Sequence, residues 1–311
     1  MPTISDHSLP SVSVIVPVKN DAARLRLCLN ALSKQTYPTD RYEVIVVDNN
    51  STDDVASAIA EFPDVRLFRE TTPGPAAARN TGVAHAKGEV IAFTDADCIP
   101  MPEWIQEGVR ALEHAPIIGG RIDIIPPESC SSAFIARYSY STALQQQYLI
   151  EQKSFAATAN VFVRRETWET IGPFDTRLVT CEDKEFGLRA QKMHMLTAYA
   201  PLAIVAHPIQ CSSFGALIRK TASYIQGQVQ YWRLQGGHKT ALCAALFQDI
   251  CPIESFTHGA LTHTRSHTCG TNLIHYNRLH IALIRLFLVG PIQFCSRLYW
   301  VTQGDRVYMT Q

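Results

Sequence analysis

The chain has 311 residues, 46% of them hydrophobic, enough to bury the core of one large domain or two ordinary ones without disulfide staples. Its 28 basic and 28 acidic residues cancel, which excludes a global field favouring nucleic acid, so any anionic ligand has to be held locally. The nine cysteines, odd in number and never in a C-x-x-C pair, fit reduced thiols in a cytosolic setting, and residues 1–10 are polar, read as a flexible N-terminus without the apolar core of a secretory signal.

Residues 11–18 read as a strand that begins amphipathic and ends buried, with Pro17 tolerated at its exit. Lys19, Asn20 and Asp21 then open a helix in which Leu25, Cys28, Leu29 and Leu32 recur at helical spacing. A second buried strand from Tyr42 ends in Asp48, which is either a turn acid or an acceptor aimed at a nucleotide base or ribose. Ser51 and Asp54 have the spacing of a capping box for the helix through Ile59. Val65 to Phe68 form a third strand. After the loop 71–75, a helix of small residues carries Arg79, a forked donor able to reach a phosphate or simply to lie in solvent.

The stretch from Glu89 to Cys98 runs an apolar strand into Asp95 and Asp97, which places two carboxylates at the carboxyl edge, where open α/β sheets hold ligands. Such a pair repels itself unless a cation or a donor-rich ligand lies between, and hard oxygen ligands suit Mg²⁺ or Mn²⁺. The competing reading makes Asp95 and Asp97 caps of the helix after Pro102. Strands alternating with helices at this spacing predict a doubly wound α/β fold with a mostly parallel sheet flanked by helices and joined by right-handed crossovers.

Further on, Trp104 to Leu112 suit a helix, Ile117 to Ile125 a strand, Ser131 to Gln152 a helix, and Ala156 to Arg165 another strand. Glu182 and Asp183 fall in the first turn of a helix that Thr180 can cap; a carboxylate there serves either as general base or as ordinary capping. Leu196 to Pro208 give a strand ending at His207, either structural or a third ligand for a divalent metal already held by carboxylates.

Taken together, Val14 to Pro17, Val46 to Asp53, Ala78 to Asn80, Thr94 to Cys98 and Cys181 to Asp183 resemble the ordered motifs of family 2 glycosyltransferases with the inverting GT-A fold. The resemblance covers roughly residues 11–210. It implies a catalytic domain with a nucleotide-binding half (11–100) and an acceptor half (101–210), which transfers a sugar from a nucleoside diphosphate sugar, most often a uridine one, to an acceptor hydroxyl. Carried onto this chain, Pro17 would line the nucleoside pocket and Asp48 accept from the base. Asp95 would meet ribose and metal-bound water, Asp97 bind the metal directly, and Arg79 and Asn160 lie around the donor. Asp183 would be the catalytic base with Glu182 supporting it, and His207 a further metal or diphosphate contact. The Gly-rich turn that many relatives carry before the acidic pair is here Val179, Thr180 and Cys181.

Residues 211–311 read as a helical C-terminal region. Phe214 to Leu234 fit a long amphipathic helix, and the His- and Thr-rich stretch 238–280 shows no zinc spacing. Leu279 to Trp300 are apolar but broken by Arg285, Pro291 and Arg297, too short-run for a span of about 20 residues and suited either to a membrane interface or to a helix packed on the catalytic domain. A glycan or lipid-linked acceptor, and a place at the inner face of the membrane, follow from the resemblance. Two alternatives stand beside transfer. A sugar-phosphate nucleotidyltransferase would carry a Gly-rich phosphate loop after the first strand, which Val16 to Asn20 lack; a binding or scaffold protein would have no need of intact Asp95, Asp97 and Asp183.

Overall fold

The computed structural model describes residues 9–125, 144–208 and 214–235. These fall into two compact units, the first holding 9–125, 144–178 and 182–208, the second 179–181 and 214–235.

The first unit is built on a sheet of strands β1 (Val12–Val18), β2 (Tyr42–Asp48), β3 (Val65–Arg69), β4 (Val90–Thr94), β5 (Ile99–Pro100), β6 (Ile117–Ile125), β7 (Asn160–Arg164) and β8 (Thr197–Pro208). Around it lie helices α1 (Ala22–Leu32), α2 (Val55–Ile59), α3 (Pro75–His85), α4 (Trp104–Ala111), α5 (Gln146–Lys153), α6 (Arg165–Ile171) and α7 (Glu182–Lys192). The strand order is β3-β2-β1-β4-β7-β6-β8-β5.

The first four strands are parallel, as their alternation with helices predicts. The remaining strands make the sheet mixed, in keeping with a mostly parallel expectation. Among them β7 runs antiparallel to both β4 and β6, and β5 antiparallel to β8, while β6 and β8 are parallel. A continuous apolar run reports burial on both faces and carries no information about strand direction.

Burial on both faces is direct in β1. Val14 and Val16 join one core cluster with Leu25, Leu29 and Phe162, while Ile15 joins the other with Phe93, Trp168 and Phe186. The crossover before β4 requires glycine at 88: a Cβ there would stand 2.5 Å from the backbone nitrogen of Ser13.

Several local expectations are corrected. Ser51 does not cap α2; Asp54 does, accepting from the amide of Ser57 at 3.0 Å. The strand expected over 156–165 is confined to Asn160–Arg164, and the chain turns directly into α6, which the apolar spacing does not announce. The helix expected over 131–152 is present as Gln146–Lys153; its earlier part lies outside the described residues.

In the second unit, α8 (Phe214–Leu234) matches its predicted bounds. Within this unit the Thr180 hydroxyl donates to the Ser223 carbonyl at 3.3 Å. Val179 donates its amide to Gln230 and Gln228 donates to the Cys181 sulfur. Gly227 permits this approach, because a Cβ there would fall 2.0 Å from the Thr180 hydroxyl. Cys181 has φ 71°, the left-handed conformation that favours glycine, here taken by a non-glycine residue.

No helix among the described residues is long and apolar enough to cross a membrane. Residues 1–8, the stretch 238–280 and the apolar segment 279–300 lie outside the described residues.

Candidate active site

The strand order reverses at β1, with β2 on one side and β4 on the other, and a ligand crevice opens at the carboxyl ends of such strands. Pro17, Asp48, Asp95 and Asp97 all lie at this edge. The loops after β1 and β2 are bound to each other: Asn20 donates its amide to the Ser51 hydroxyl and accepts from Thr52, and Ala22 donates to Asp53. Asn20 and Asn50, at φ 55° and 60°, take the left-handed turns this bracing needs. Asn49 extends it, donating to the carbonyls of Glu70 and Thr72 and accepting from Gly74. The crevice wall is therefore a hydrogen-bonded unit rather than two independent loops.

Within this wall Asp48 acts as a turn acid, its Oδ1 accepting from the Ser51 amide at 2.8 Å. Pro17 is half-buried beside Val47.

Asp97 and His207 are neighbours because the short β5, two residues after Asp97, pairs with β8 beside Ala206. His207 Nε2 stands 3.8 Å from Asp97 Oδ1, and Arg24 of α1 lies 3.6 Å from the other carboxylate oxygen. Ligand atoms of Asp97, Cys98 and His207 lie within 4.8 Å of one another. His207 Nδ1 is buried without a partner. This donor set fits a divalent cation, with carboxylate and imidazole as ready ligands. Burial pushes the Cys98 thiol well up, as do Asp95 and Asp97, so the sulfur is a protonated neighbour of the pair. Burial also raises the Asp97 carboxyl, against the pull of His207 and Arg24. Asp95 and Asp97 do not cap α4, whose N-cap is Glu103.

Asp95 stands apart from this cluster, tied to an arginine. Asp95 accepts from Arg79 at 2.7 Å and is not among the clustered ligand atoms. Arg79, 4% exposed, also donates to Glu182 at 2.6 Å. The solvated reading of Arg79 fails, and its outer nitrogens already serve two carboxylates rather than a phosphate.

Asp183 follows Glu182 in the first turn of α7 and borders a cavity of about 10 Å³ lined by Phe93, Phe174, Phe186 and Ile117, roughly the room of one water. Burial, and then the Glu182 carboxylate, raise its pKa to about 7, opposed by the Lys184 amide and Arg79. A carboxyl poised there can accept a proton near neutral pH.

Asn160 is corrected most plainly. It is fully buried, its Oδ1 accepting from the Trp104 indole at 2.8 Å and its Nδ2 donating to the carbonyls of Arg121 and Ala203 at 2.8 and 2.9 Å. Every polar atom of its side chain faces protein. It fixes β7 to the neighbouring strands and offers nothing to a donor.

Arg24 and Cys98 belong to this site and were not anticipated as members. Cys98 is adjacent to the acidic pair and could have been included on position; Arg24, three residues after Asp21 and hydrogen-bonded to it, carries no sequence sign of its approach to Asp97.

Comparison with known proteins agrees with this architecture. Residues 13–172 match the family described as Glycosyl transferase family 2. Glycosyltransferase AglE of Haloferax volcanii is 35% identical over 234 residues, covering 73% of this chain and 76% of that protein. The probable glycosyltransferase YdaM of Bacillus subtilis is 28% identical, covering 63% of this chain and half of that protein. Among solved structures, the mannosyltransferase PcManGT of Pyrobaculum calidifontis, in complex with GDP-Man and Mn²⁺, superposes with a TM-score of 0.55 at 21% identity, covering 98% of this chain and 89% of that one. S. aureus TarS gives 0.53 at 20% identity, covering 69% of this chain and 39% of that one. These likenesses identify the sheet and its flanking helices as the GT-A fold. With a family match over half the sequence and a relative 35% identical over most of both chains, the chain belongs to glycosyl transferase family 2.

Proposed function

We propose that the chain transfers a sugar from a nucleoside diphosphate sugar, a uridine one by preference, to a hydroxyl of a glycan or lipid-linked acceptor, with inversion at the anomeric carbon. The observation that carries this reading is the joining of the strand edge at Asp95 to the acidic start of α7 through one buried arginine, with the Asp183 carboxyl poised at about 7 beside it.

In this reading the nucleoside lies against Pro17 and the free side of the Asp48 carboxylate, on the braced wall. Asp97 and His207 hold Mg²⁺ or Mn²⁺, which when bound offsets the charge gained by the departing diphosphate. Asp183 accepts the proton of the acceptor hydroxyl as its oxygen bonds to the anomeric carbon; the bond to the diphosphate oxygen breaks on the opposite face, and one displacement inverts the centre. Glu182, tied to Arg79, keeps the start of α7 in place. Names of relatives support the class of reaction: a solved neighbour holds GDP-Man and Mn²⁺, another UDP-GlcNAc. We place the C-terminal region, including 279–300, at the membrane surface, where a lipid-linked acceptor would be met.

The test is proton NMR of the product formed from an α-linked donor sugar. A β-linked product supports the reading, and retention of the α configuration overturns it.

A further inference from the structure

Arg79 presents an arrangement that the reaction alone does not demand. It sits in α3 with 4% exposure, one outer nitrogen donating to Asp95 just beyond β4 and the other to Glu182, the first residue of α7. Its Nε is buried without a partner. A guanidinium so placed has both forks engaged by carboxylates and is not free to grip a diphosphate. Its planar fork suits it to hold two carboxylates at a fixed separation, which a lysine ammonium cannot do.

We propose that Arg79 is a positioning residue that ties the donor-side Asp95 to the base-side Glu182, and thereby sets where the Asp183 carboxyl stands relative to the donor. The proposal rests on the transfer reading for its effect on rate. The chain of contact is short: Asp95 follows the last residue of β4, Arg79 spans to Glu182, and Asp183 is the next residue along α7. A shift at either end moves the other, because no slack remains in two charge-assisted bonds of 2.7 and 2.6 Å. Asn80, next to Arg79, adds a second tie between α3 and the segment before α7, donating to the Phe174 carbonyl and accepting from its amide. The ordered Ala78 to Asn80 motif is thus a two-residue clasp between the halves of the site.

Removing a residue that bound the donor would weaken donor affinity. Removing one that positions the base lowers turnover and leaves affinity nearly intact, since a misplacement of about 1 Å can cost on the order of a hundredfold in rate.

The experiment compares wild type with Arg79→Lys, which keeps the charge and loses the fork, and with the charge-neutral double variant Arg79→Gln/Glu182→Gln, which avoids stranding a buried carboxylate. Donor Kd is read by calorimetry with a panel of UDP- and GDP-sugars and Mn²⁺, kcat from product release, and backbone exchange at the start of α7 by hydrogen–deuterium mass spectrometry. The expected result for both variants is a fall in kcat of about a hundredfold with donor Kd within about threefold of wild type. Exchange should quicken in the first turn of α7 by tenfold or more while its last turn is unchanged. A loss of donor affinity with kcat retained would make Arg79 a donor ligand and overturn the proposal, as would wild-type kcat in either variant. If wild type binds and turns over no donor, the transfer reading fails, and the exchange measurement still decides the tie: unchanged exchange in both variants overturns it.

Discussion

His207 Nε2 stands 3.8 Å from Asp97 Oδ1, brought there by the pairing of a two-residue strand with the end of a twelve-residue one. Nothing else among the described residues gathers oxygen, nitrogen and sulfur ligand atoms within 4.8 Å. A cation held here contacts Asp97 directly, so Asp97→Ala should abolish the Mn²⁺ dependence of donor binding. His207→Ala should weaken it by about ten- to a hundredfold. Calorimetric titration of the donor with and without Mn²⁺ checks both; an unchanged metal requirement in Asp97→Ala removes its ligand role.

Asp183 should govern the pH dependence of transfer. With its carboxyl raised to about 7, the base is protonated and idle in acid, so kcat should rise with pH through about 7 and then level. Asp183→Asn should lower kcat by about a hundred- to ten-thousandfold while leaving donor affinity within a few fold. Rates measured from pH 5 to 9 in wild type and variant read both effects.

The same shift makes a stability prediction of definite sign. A carboxyl with an ordinary value of 3.8 that titrates near 7 in the fold holds a proton where the unfolded chain has lost it. Its contribution therefore opposes folding increasingly as pH rises from about 4 to about 7. Asp183→Asn, which keeps an oxygen for the Lys184 amide, should melt higher than wild type at pH 8 and equally at pH 4. Differential scanning calorimetry at the two pH values is sufficient.

Asn160→Ala should act on stability and spare binding. It strands the Trp104 indole N–H and the Arg121 and Ala203 carbonyls in the interior, a loss on the order of 3 kcal/mol. For a unit of this size that lowers Tm by about 6–12 °C. Donor affinity of the folded fraction should match wild type, since no side-chain atom of Asn160 faces the crevice.

The parallel half was legible because its central strands β1, β2 and β4 are largely buried apolar runs, and Asp48 and Asp95 mark the edge at which two of them end without any knowledge of contacts. The long helix at Phe214–Leu234 was legible for a similar reason, its spacing being a property of the chain itself. What the sequence hid depends on partners far away in it. Asn160 lies beside Thr94 at the donor edge, as its register requires, yet its amide turns to Trp104, Arg121 and Ala203. Arg79 carries the same chemistry whether it meets a phosphate or two carboxylates, and only the placement of Glu182 decides. The antiparallel direction of β7 leaves no trace in periodicity, because a strand read backwards has the same alternation.

In the transfer proposed for this chain, one edge of the sheet binds a nucleoside diphosphate sugar through a metal while Asp183 serves only the chemical step. The most direct measurement is calorimetric titration of wild type, Asp97→Ala and Asp183→Asn with UDP- and GDP-sugars, each with and without Mn²⁺. The account predicts Mn²⁺-dependent binding of one donor class in wild type, its loss in Asp97→Ala and its retention in Asp183→Asn. Donor binding that is indifferent to Mn²⁺ and to Asp97, or that vanishes in Asp183→Asn, would contradict it.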